Sequence, residues 1–152
     1  FAQNGKATTI KKTFSQTTSV SIDINADEAI IWALLTNASD FPRWNSTIIS
    51  IDGNIEEGEK IKLKVHLDPK RTFKIKIKSM EPTSKMVWGD AMGTRVYTLT
   101  KNDDGTVKFD MTEKIGGLMF PLFANKLPSF VEPFEQYASD LKKEAERIQS
   151  KS

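Results

Sequence analysis

The chain has no cysteine and a single histidine among its 152 residues. The lack of cysteine excludes disulfide bonds, thiol catalysis and cysteine metal sites. The single histidine, His66, excludes multi-histidine metal sites. His66 follows a run of alternating residues that turns it away from the apolar face, which argues against a histidine-based catalytic triad. We therefore expect no bound metal and no cofactor.

A large excess of one charge and a long apolar run are also missing. The chain carries 22 basic and 20 acidic residues, a net charge of +2. This balance predicts no strong attraction to nucleic acid. The longest apolar stretch, residues 118–124, is interrupted by Pro121 and is far shorter than the ~18 residues that a membrane helix needs. We expect no integral membrane segment and a cytoplasmic protein, with an exported form whose signal has been removed as the alternative.

The first residues differ in character from the rest of the chain. Residues 1–16 are polar and show no sustained periodicity, which predicts an N-terminal lead-in. Residues 17–150 contain no linker, repeat or low-complexity segment, so we predict a single domain there. It opens with apolar and polar side chains that alternate from Ser19 to Asn25, the pattern of a half-buried strand.

Two short helices are predicted after this strand. Asp27 is a good N-cap for a helix over residues 28–35, because its side chain can accept a hydrogen bond from the first helical turn. Residues 37–45 predict a second short helical segment, in which two aromatic residues flank a proline.

Six short segments with period-two alternation or high strand propensity come next, separated by turn-forming residues. Strands at this spacing indicate an antiparallel meander. The turn Asp103–Gly105 is a three-residue hairpin loop with glycine in the left-handed position. The predicted strands cover residues 48–55, 60–67, 72–80, 86–88, 94–101 and 106–115.

The C-terminal part predicts one long amphipathic helix. Ser129 and Glu132 have the spacing of a capping box, with Pro133 in the tolerated first turn. Apolar residues then recur every three or four positions, which marks one buried face. The fold class is therefore α+β: a curved antiparallel sheet of about six or seven strands wrapped around a long C-terminal helix, with two short helices after the first strand. The buried positions are Phe134, Tyr137, Leu141, Ala145 and Ile148.

This order of elements resembles the helix-grip fold. Asp27–Trp32, Phe41–Asn45, Glu81–Gly89 and Tyr97–Gly116 are similar to the corresponding elements of the polyketide cyclase/dehydrase-like group of the START/Bet v 1-like (SRPBCC) superfamily. The resemblance implies a cavity between sheet and helix that is usually apolar and binds lipids, hormones, pigments or polyketide-like molecules. The family includes carriers, receptors and cyclases. The chain departs from the family pattern in its prolines near the cavity mouth, at positions 121, 128 and 133.

Three charged residues are predicted to meet on the inner face of the sheet. With Asp103–Gly105 as the hairpin loop, Arg95 lies opposite Glu113, and both share a face with apolar neighbours. A tight turn near residues 92–93 would place Asp90 beside Arg95 and Trp88 beside Tyr97. The sequence thus predicts an Asp90–Arg95–Glu113 cluster at one end of an aromatic-lined pocket.

This cluster has two interpretations. Arginine can bridge two carboxylates, and such a group could orient a carbonyl, hydroxyl or carboxylate of a ligand. An unpaired, inward Glu113 could also serve as a general acid or base. Alternatively, the three residues form a structural ion pair at the rim of the sheet.

A larger set of apolar and aromatic residues is predicted to line the pocket, since pockets for small molecules are mostly apolar with a few convergent polar groups. The alternative is that these side chains simply fill a core. Three of the phenylalanines, at positions 120, 123 and 130, are candidates for gating the entrance. With the charged cluster Asp90, Arg95 and Glu113, the predicted ligand-binding residues are Trp44, Leu63, Val65, Phe73, Ile75, Trp88, Tyr97, Phe109, Met111, Met119, Phe120, Phe123, Phe130 and Phe134.

Six lysines are predicted on the outer face of two neighbouring strands, together with His66. Such a face is typically solvated and discourages edge pairing, but it could also bind acidic partners. We define the lysine face as Lys60, Lys62, Lys64, Lys74, Lys76 and Lys78.

Three functions follow from these features. The leading hypothesis is a binding module for a small hydrophobic molecule, lipid-like or polyketide-like, that is a monomer or a weak homodimer. The second is a cyclase or dehydratase type of enzyme that uses Glu113 with Arg95 or Asp90. The third is a protein-interaction module, such as a chaperone partner, that uses the lysine face.

Overall fold

The computed structural model describes residues 4–152, in which eight strands form one antiparallel sheet. The strands lie side by side in the order β1-β2-β8-β7-β6-β5-β4-β3, so the first hairpin continues onto the last strand. They are β1 Ala7–Lys11, β2 Ser15–Ile24, β3 Ile48–Asp52, β4 Lys60–Val65, β5 Phe73–Glu81, β6 Lys85–Gly89, β7 Gly93–Lys101 and β8 Val107–Gly116.

Four α-helices accompany the sheet in the described part of the chain. They are α1 Glu28–Thr36, α2 Phe41–Trp44, α3 Phe120–Phe123 and α4 Val131–Ser150. Asp27 caps α1 as predicted, because its carboxylate accepts a hydrogen bond from the Ala29 amide. The 20-residue α4 packs against β2 and α1. The structure confirms the α+β helix-grip fold, with a long C-terminal helix on the inner face of an antiparallel sheet.

The N-terminal segment corrects one expectation. Residues 7–16, predicted as part of an irregular lead-in, instead form β1 and the start of β2, which pair as a hairpin. The sequence hides this hairpin because Thr8, Thr9 and Thr17 replace the apolar side chains of an alternating pattern. Residues 1–3 of the predicted lead-in lie outside the described residues. The sheet consequently has eight strands rather than six or seven.

The start of α4 also differs from the prediction. Ser129 does not complete a capping box; its hydroxyl accepts a weak hydrogen bond from the Val131 amide, at 3.3 Å. Phe130 occupies the N-cap position without a side-chain hydrogen bond. The predicted apolar stripe of α4 is present, with Phe134, Tyr137, Leu141 and Ala145 buried.

The predicted strand register is correct between β7 and β8 but wrong between β6 and β7. The Asn102 amide donates to the Thr106 carbonyl across the hairpin loop, which sets Arg95 opposite Glu113 as predicted. Between β6 and β7, however, Trp88 pairs with Arg95 and Met86 pairs with Tyr97. This register is two residues away from the prediction, which paired Asp90 with Arg95.

Gly89 explains the close turn between β6 and β7. A Cβ at this position would lie 2.3 Å from the Gly93 carbonyl oxygen, so no other residue fits here. The Asp90 amide donates to the same carbonyl. The turn closes one step earlier than predicted, and Asp90 lies in it rather than in a strand.

An aromatic cluster fills the space between the middle of the sheet and α4. Its five members are buried, with ring centroids 5.0 to 6.4 Å apart. Two of them stack almost in parallel, at an interplanar angle of 4°. We define the aromatic cluster as Phe41, Trp44, Tyr97, Phe109 and Tyr137.

Candidate ligand-binding site

A cavity of about 980 Å³ opens beside the aromatic cluster. It lies between the first half of α4 and the inner faces of β4 to β8. Its volume is at the upper end of the ~300–1,000 Å³ range of small-molecule pockets. Alternation along each strand makes the wall, because every second side chain turns inward. The structure therefore leaves a hollow under α4 where the sequence predicted one.

The wall of the cavity is mainly apolar. The sheet contributes Leu63, Val65, Phe73, Ile75, Trp88, Met111 and Ile115, and the C-terminal segment contributes Phe123, Leu127, Phe130 and Phe134. Trp88 is almost fully buried and packs edge-on against Tyr97, with ring centroids 5.1 Å apart. Its position is thus fixed by the aromatic cluster behind it.

One ion pair lies within this apolar wall. The Arg95 Nε donates to a Glu113 carboxylate oxygen at 2.6 Å, and the two side chains are only 15% and 18% exposed. The guanidinium also lies over the Phe134 ring, 5.0 Å from its centroid. Burial lowers the pKa of Arg95, but the Glu113 carboxylate and the Tyr97 and Tyr137 phenols together raise it by more, so that the net shift is upward. Arg95 is therefore held as a cation inside the cavity.

Two buried phenol groups lie next to Arg95. Tyr97 is two residues along β7 from Arg95, and Tyr137 is one turn along α4 from Phe134, with tyrosine ring centroids 6.2 Å apart. Burial raises the pKa of Tyr97 to about 12, against the opposing effect of Arg95. Burial also raises the pKa of Tyr137 well above 10. Both phenols are consequently neutral hydrogen-bond donors at physiological pH.

The predicted cluster of three charges is wrong in one member, because Asp90 does not pair with Arg95. Its carboxylate accepts hydrogen bonds from the Met92 and Gly93 amides, both at 2.9 Å, so it stabilises the β6–β7 turn. Short polar side chains commonly bond to the backbone two residues ahead in this way. Asp90 still lines the cavity. Within residues 4–152 it forms no ion pair with Arg95.

The predicted ligand-binding residues divide into two groups. Twelve of them line the cavity: Leu63, Val65, Phe73, Ile75, Trp88, Asp90, Arg95, Met111, Glu113, Phe123, Phe130 and Phe134. The other five do not belong to the wall: Trp44, Tyr97, Phe109, Met119 and Phe120. Alternation and apolar character are common to both groups, so the sequence could not separate wall from core.

The five residues outside the wall have evident locations. Trp44, Tyr97 and Phe109 belong to the aromatic cluster. Met119 is 62% exposed, and Phe120 is buried against Phe123 at 5.5 Å between ring centroids. Of the three predicted gating residues, only Phe123 and Phe130 therefore reach the cavity.

Several wall residues were missed by sequence reasoning. Tyr137 lines the cavity, and its spacing of three from Phe134 on the apolar stripe of α4 is a signal that could have found it. His66 lies at the mouth, beyond the end of β4, where its amide donates to the Thr47 carbonyl. The strand pattern placed His66 on the outer face because it assumed that β4 continued to residue 67.

The lysine face is present on the outside of β4 and β5. All six side chains are exposed. Lys60 lies directly opposite Lys76, and Lys62 lies directly opposite Lys74. Like charges at such positions destabilise a sheet, so this face provides no support for the two strands that form one wall of the cavity.

No family model matches the chain, and no curated protein matches it. Solved structures do. A protein from Nitrosomonas europaea superposes with a TM-score of 0.69 at 12% identity, covering 93% of this chain and 99% of that one. A protein from Rhodobacter sphaeroides gives a TM-score of 0.68 at 14% identity, with coverages of 93% and 99%. A START superfamily protein from Mycobacterium smegmatis gives 0.63 at 13% identity, with coverages of 87% and 98%.

These similarities concern the fold. The identities of 11% to 18% are too low to carry a function from one chain to the other. They show that the chain has a START-like helix-grip fold. Within residues 4–152, no helix is both long enough and apolar enough to cross a membrane.

Proposed function

We propose that this protein binds a small hydrophobic molecule, lipid-like or polyketide-like, in the cavity under α4. The observation that carries the proposal is the 980 Å³ hollow itself, whose mainly apolar wall contains the ion pair Arg95–Glu113. Protein interiors are normally close-packed, with few voids larger than a water molecule. An apolar space of this size therefore favours an occupant.

The wall also explains what kind of occupant is favoured. Leu63, Phe73 and Ile75 offer apolar surface from the sheet, and Phe130 and Phe134 offer aromatic rings from the opposite side. Transfer of apolar ligand surface from water to this wall contributes about 25 cal/mol per Å². Arg95 and Glu113 supply the convergent polar groups that fix the orientation of a ligand.

Binding without catalysis is better supported than the enzyme hypothesis. A general base needs a free carboxylate near the substrate, and Glu113 is engaged by Arg95 at 2.6 Å. Asp90, the other candidate, accepts two backbone hydrogen bonds in its turn. A cyclase or dehydratase would have to break one of these interactions before it could act.

The test is a titration of the protein with 1-ethylpyrene, followed by ligand fluorescence. Wild type should bind with a micromolar or lower Kd. Leu63→Trp fills the cavity and should weaken binding at least tenfold. Lys64→Trp adds the same ring to the outer face one residue away, so its affinity should match that of wild type. Native mass spectrometry of freshly purified protein should also reveal a co-purifying small molecule.

Two results would contradict the proposal. One is a protein that binds no hydrophobic probe and carries no co-purifying mass. The other is equal affinity in wild type and Leu63→Trp, which would place the ligand elsewhere. A third variant, with Lys62, Lys64 and Lys76 all changed to Thr, tests the interaction hypothesis. Ligand binding should be insensitive to it but should be weakened by Trp88→Ala.

A further inference from the structure

Large apolar side chains are exposed together at one end of the sheet. Within residues 4–152, five of the seven exposed large apolar side chains belong to three segments that meet there. Single exposed apolar residues are normal, whereas a cluster of them marks a site of interaction with a protein or a membrane. We define the exposed apolar patch as Phe14, Met92, Leu118, Met119 and Leu122, whose exposed fractions range from 42% to 87%.

Backbone hydrogen bonds hold the three segments of the patch together. The Gly116 amide donates to the Met92 carbonyl, and the Gly117 amide donates to the Phe14 carbonyl, both at 3.0 Å. From Gly117 the chain continues through Leu118 into α3. The patch is therefore built from the β1–β2 turn, the β6–β7 turn and the start of the C-terminal segment.

The patch is continuous with the mouth of the cavity. Met92 belongs to the patch and also lines the cavity, and so do Phe123 and Leu127, which follow Leu122. A hydrophobic ligand that left the cavity here for water would expose its apolar surface, which is unfavourable. A second apolar phase placed against the mouth would remove this barrier.

The charges around the patch favour a lipid surface over a protein partner. Segments 10–22, 90–93 and 114–131 contain four lysines and only one acidic residue, Asp90. Lysine is depleted from protein–protein interfaces, whereas each lysine near an anionic lipid surface strengthens binding roughly fivefold. The four exposed lysines are Lys11, Lys12, Lys114 and Lys126.

The rest of the mouth does not cancel this excess of positive charge. The Asp90 carboxylate is occupied by two backbone amides. Apart from the Arg95–Glu113 pair, the other charged side chains of the cavity wall outside these segments are Asp68, Arg71 and Glu132. Cations therefore remain in the majority around the patch.

From these observations we propose that the exposed apolar patch docks on the surface of a bilayer that contains anionic phospholipids. Its apolar side chains lie among the lipid headgroups and the start of the acyl chains, and the four lysines face the lipid phosphates. Docked in this way, the protein lies on the bilayer with its cavity mouth against the lipid. The docking stands on the patch alone, whereas entry of a ligand from the bilayer rests on the proposed function.

Vesicle flotation tests the docking. Wild type should float with vesicles of phosphatidylcholine and phosphatidylglycerol and bind roughly tenfold more weakly to phosphatidylcholine alone. Leu118→Asn with Leu122→Asn removes two apolar groups at constant charge and should weaken binding to the mixed vesicles roughly tenfold or more. Both side chains are exposed and neither lines the cavity, so the Tm and the affinity for 1-ethylpyrene should stay unchanged.

Lys11→Gln with Lys12→Gln tests the role of charge, and Lys62→Gln with Lys64→Gln is the matched control. Both pairs of changes lower the net charge equally. The first pair should weaken binding to the mixed vesicles about fivefold or more, and high salt should remove its difference from wild type. The second pair lies on the lysine face and should leave binding within about twofold of wild type.

Leu118→Trp reports insertion directly, with Lys64→Trp on the outer face as its control. Brominated acyl chains quench the fluorescence of a tryptophan that reaches them. Mixed vesicles with brominated lipid should therefore quench Leu118→Trp more strongly than wild type. They should quench Lys64→Trp no more than wild type.

The outcomes separate this inference from the proposed function. If wild type does not float, or if Leu118→Asn with Leu122→Asn floats equally well, the patch does not dock on lipid. Equal weakening by the two lysine pairs, or equal binding to both kinds of vesicle, would contradict the role of the lysines around the patch. A lipid-free dimer that Leu118→Asn with Leu122→Asn dissociates would assign the patch to a second copy of the chain. Binding of 1-ethylpyrene in any of these cases would leave the proposed function standing, and flotation without such binding would leave only the docking.

Discussion

The inner face of the sheet has a filled half and a hollow half. Over β2, α4 packs directly on the sheet, with Leu141 and Ala145 fully buried. Over β4 and β5, the inward side chains Leu63 and Ile75 face the cavity instead. Both halves have the same alternation of apolar and polar residues. Where α4 lies, rather than the strand pattern, decides which half is solid.

The boundary between the halves is the aromatic cluster. Tyr137 takes part in both, because its ring stacks on Phe109 and also lines the cavity. A rigid boundary of interlocked rings keeps α4 from collapsing onto β4 and β5. We therefore expect the filled half to contribute most of the stability and the hollow half to hold the proposed ligand.

The two halves should differ most in the free energy of unfolding that is lost when a large side chain is removed from each. Phe109→Ala removes a fully buried ring from the filled half and should lower the free energy of unfolding by about 3–5 kcal/mol, because it opens a new void. Leu63→Ala enlarges a space that already exists and should cost only about 1–2 kcal/mol. Urea titration measures both. Equal losses would show that the cavity wall is as tightly packed as the core.

Enlarged side chains should also be tolerated better in the hollow half than in the filled half. Ala138 is fully buried on α4, and Ala138→Phe should cost about 1–3 kcal/mol through overpacking. Leu63→Trp projects into the cavity and should change stability by less than about 1 kcal/mol. Thermal unfolding of the two variants provides the comparison. A strongly destabilised Leu63→Trp variant would mean that the hollow is not open to a larger side chain.

The filled half also has a charged anchor whose effect depends on pH. Hydrogen bonds from Arg147 and Arg43 hold the pKa of Glu144 at about 2, against an ordinary value of 4.5. A lowered folded-state pKa stabilises the protein above pH 4.5, and this contribution is lost as the pH falls toward 2. Both arginines are half exposed, so solvent screening limits the contribution to about 1 kcal/mol.

Glu144→Gln should accordingly reduce the fall in Tm between pH 6 and pH 3. Glu59→Gln, in an exposed loop, is the matched control and should keep the fall of wild type. If the two variants behave alike, the link from α2 to α4 through Arg43 contributes little to the filled half.

The sequence predicts most of the fold because most of the elements have a local signal. The three-residue loop Asp103–Gly105 sets the register of β7 and β8, and so it predicts the Arg95–Glu113 pair. The β6–β7 turn has no such fixed length, because the Asp90 side chain closes the turn through backbone hydrogen bonds. A shift of two residues preserves which face each side chain occupies, so the apolar pattern cannot detect it.

Predicting the wall of the cavity requires knowledge that strand patterns do not contain. Phe73 and Phe109 are both inward aromatic residues on central strands, yet the first lines the cavity and the second fills the core. What separates them is the path of α4, which depends on the broken segment around Pro121 and Pro128. That path results from tertiary packing, and no local signal encodes it.

The smallest predicted effect concerns the outer side of the hollow half. Lys62 and Lys74 face each other across β4 and β5, so these strands have repulsion on one face and a cavity on the other. We expect their amides to exchange with solvent faster than those of β2 and β8.

Lys74→Glu turns the repulsion into an attractive pair worth about 0.2–1 kcal/mol. It should slow exchange in β4 and β5 and leave β2 and β8 unchanged, and high salt should remove the difference. Equal protection of both pairs of strands in wild type would mean that the two halves unfold as one unit.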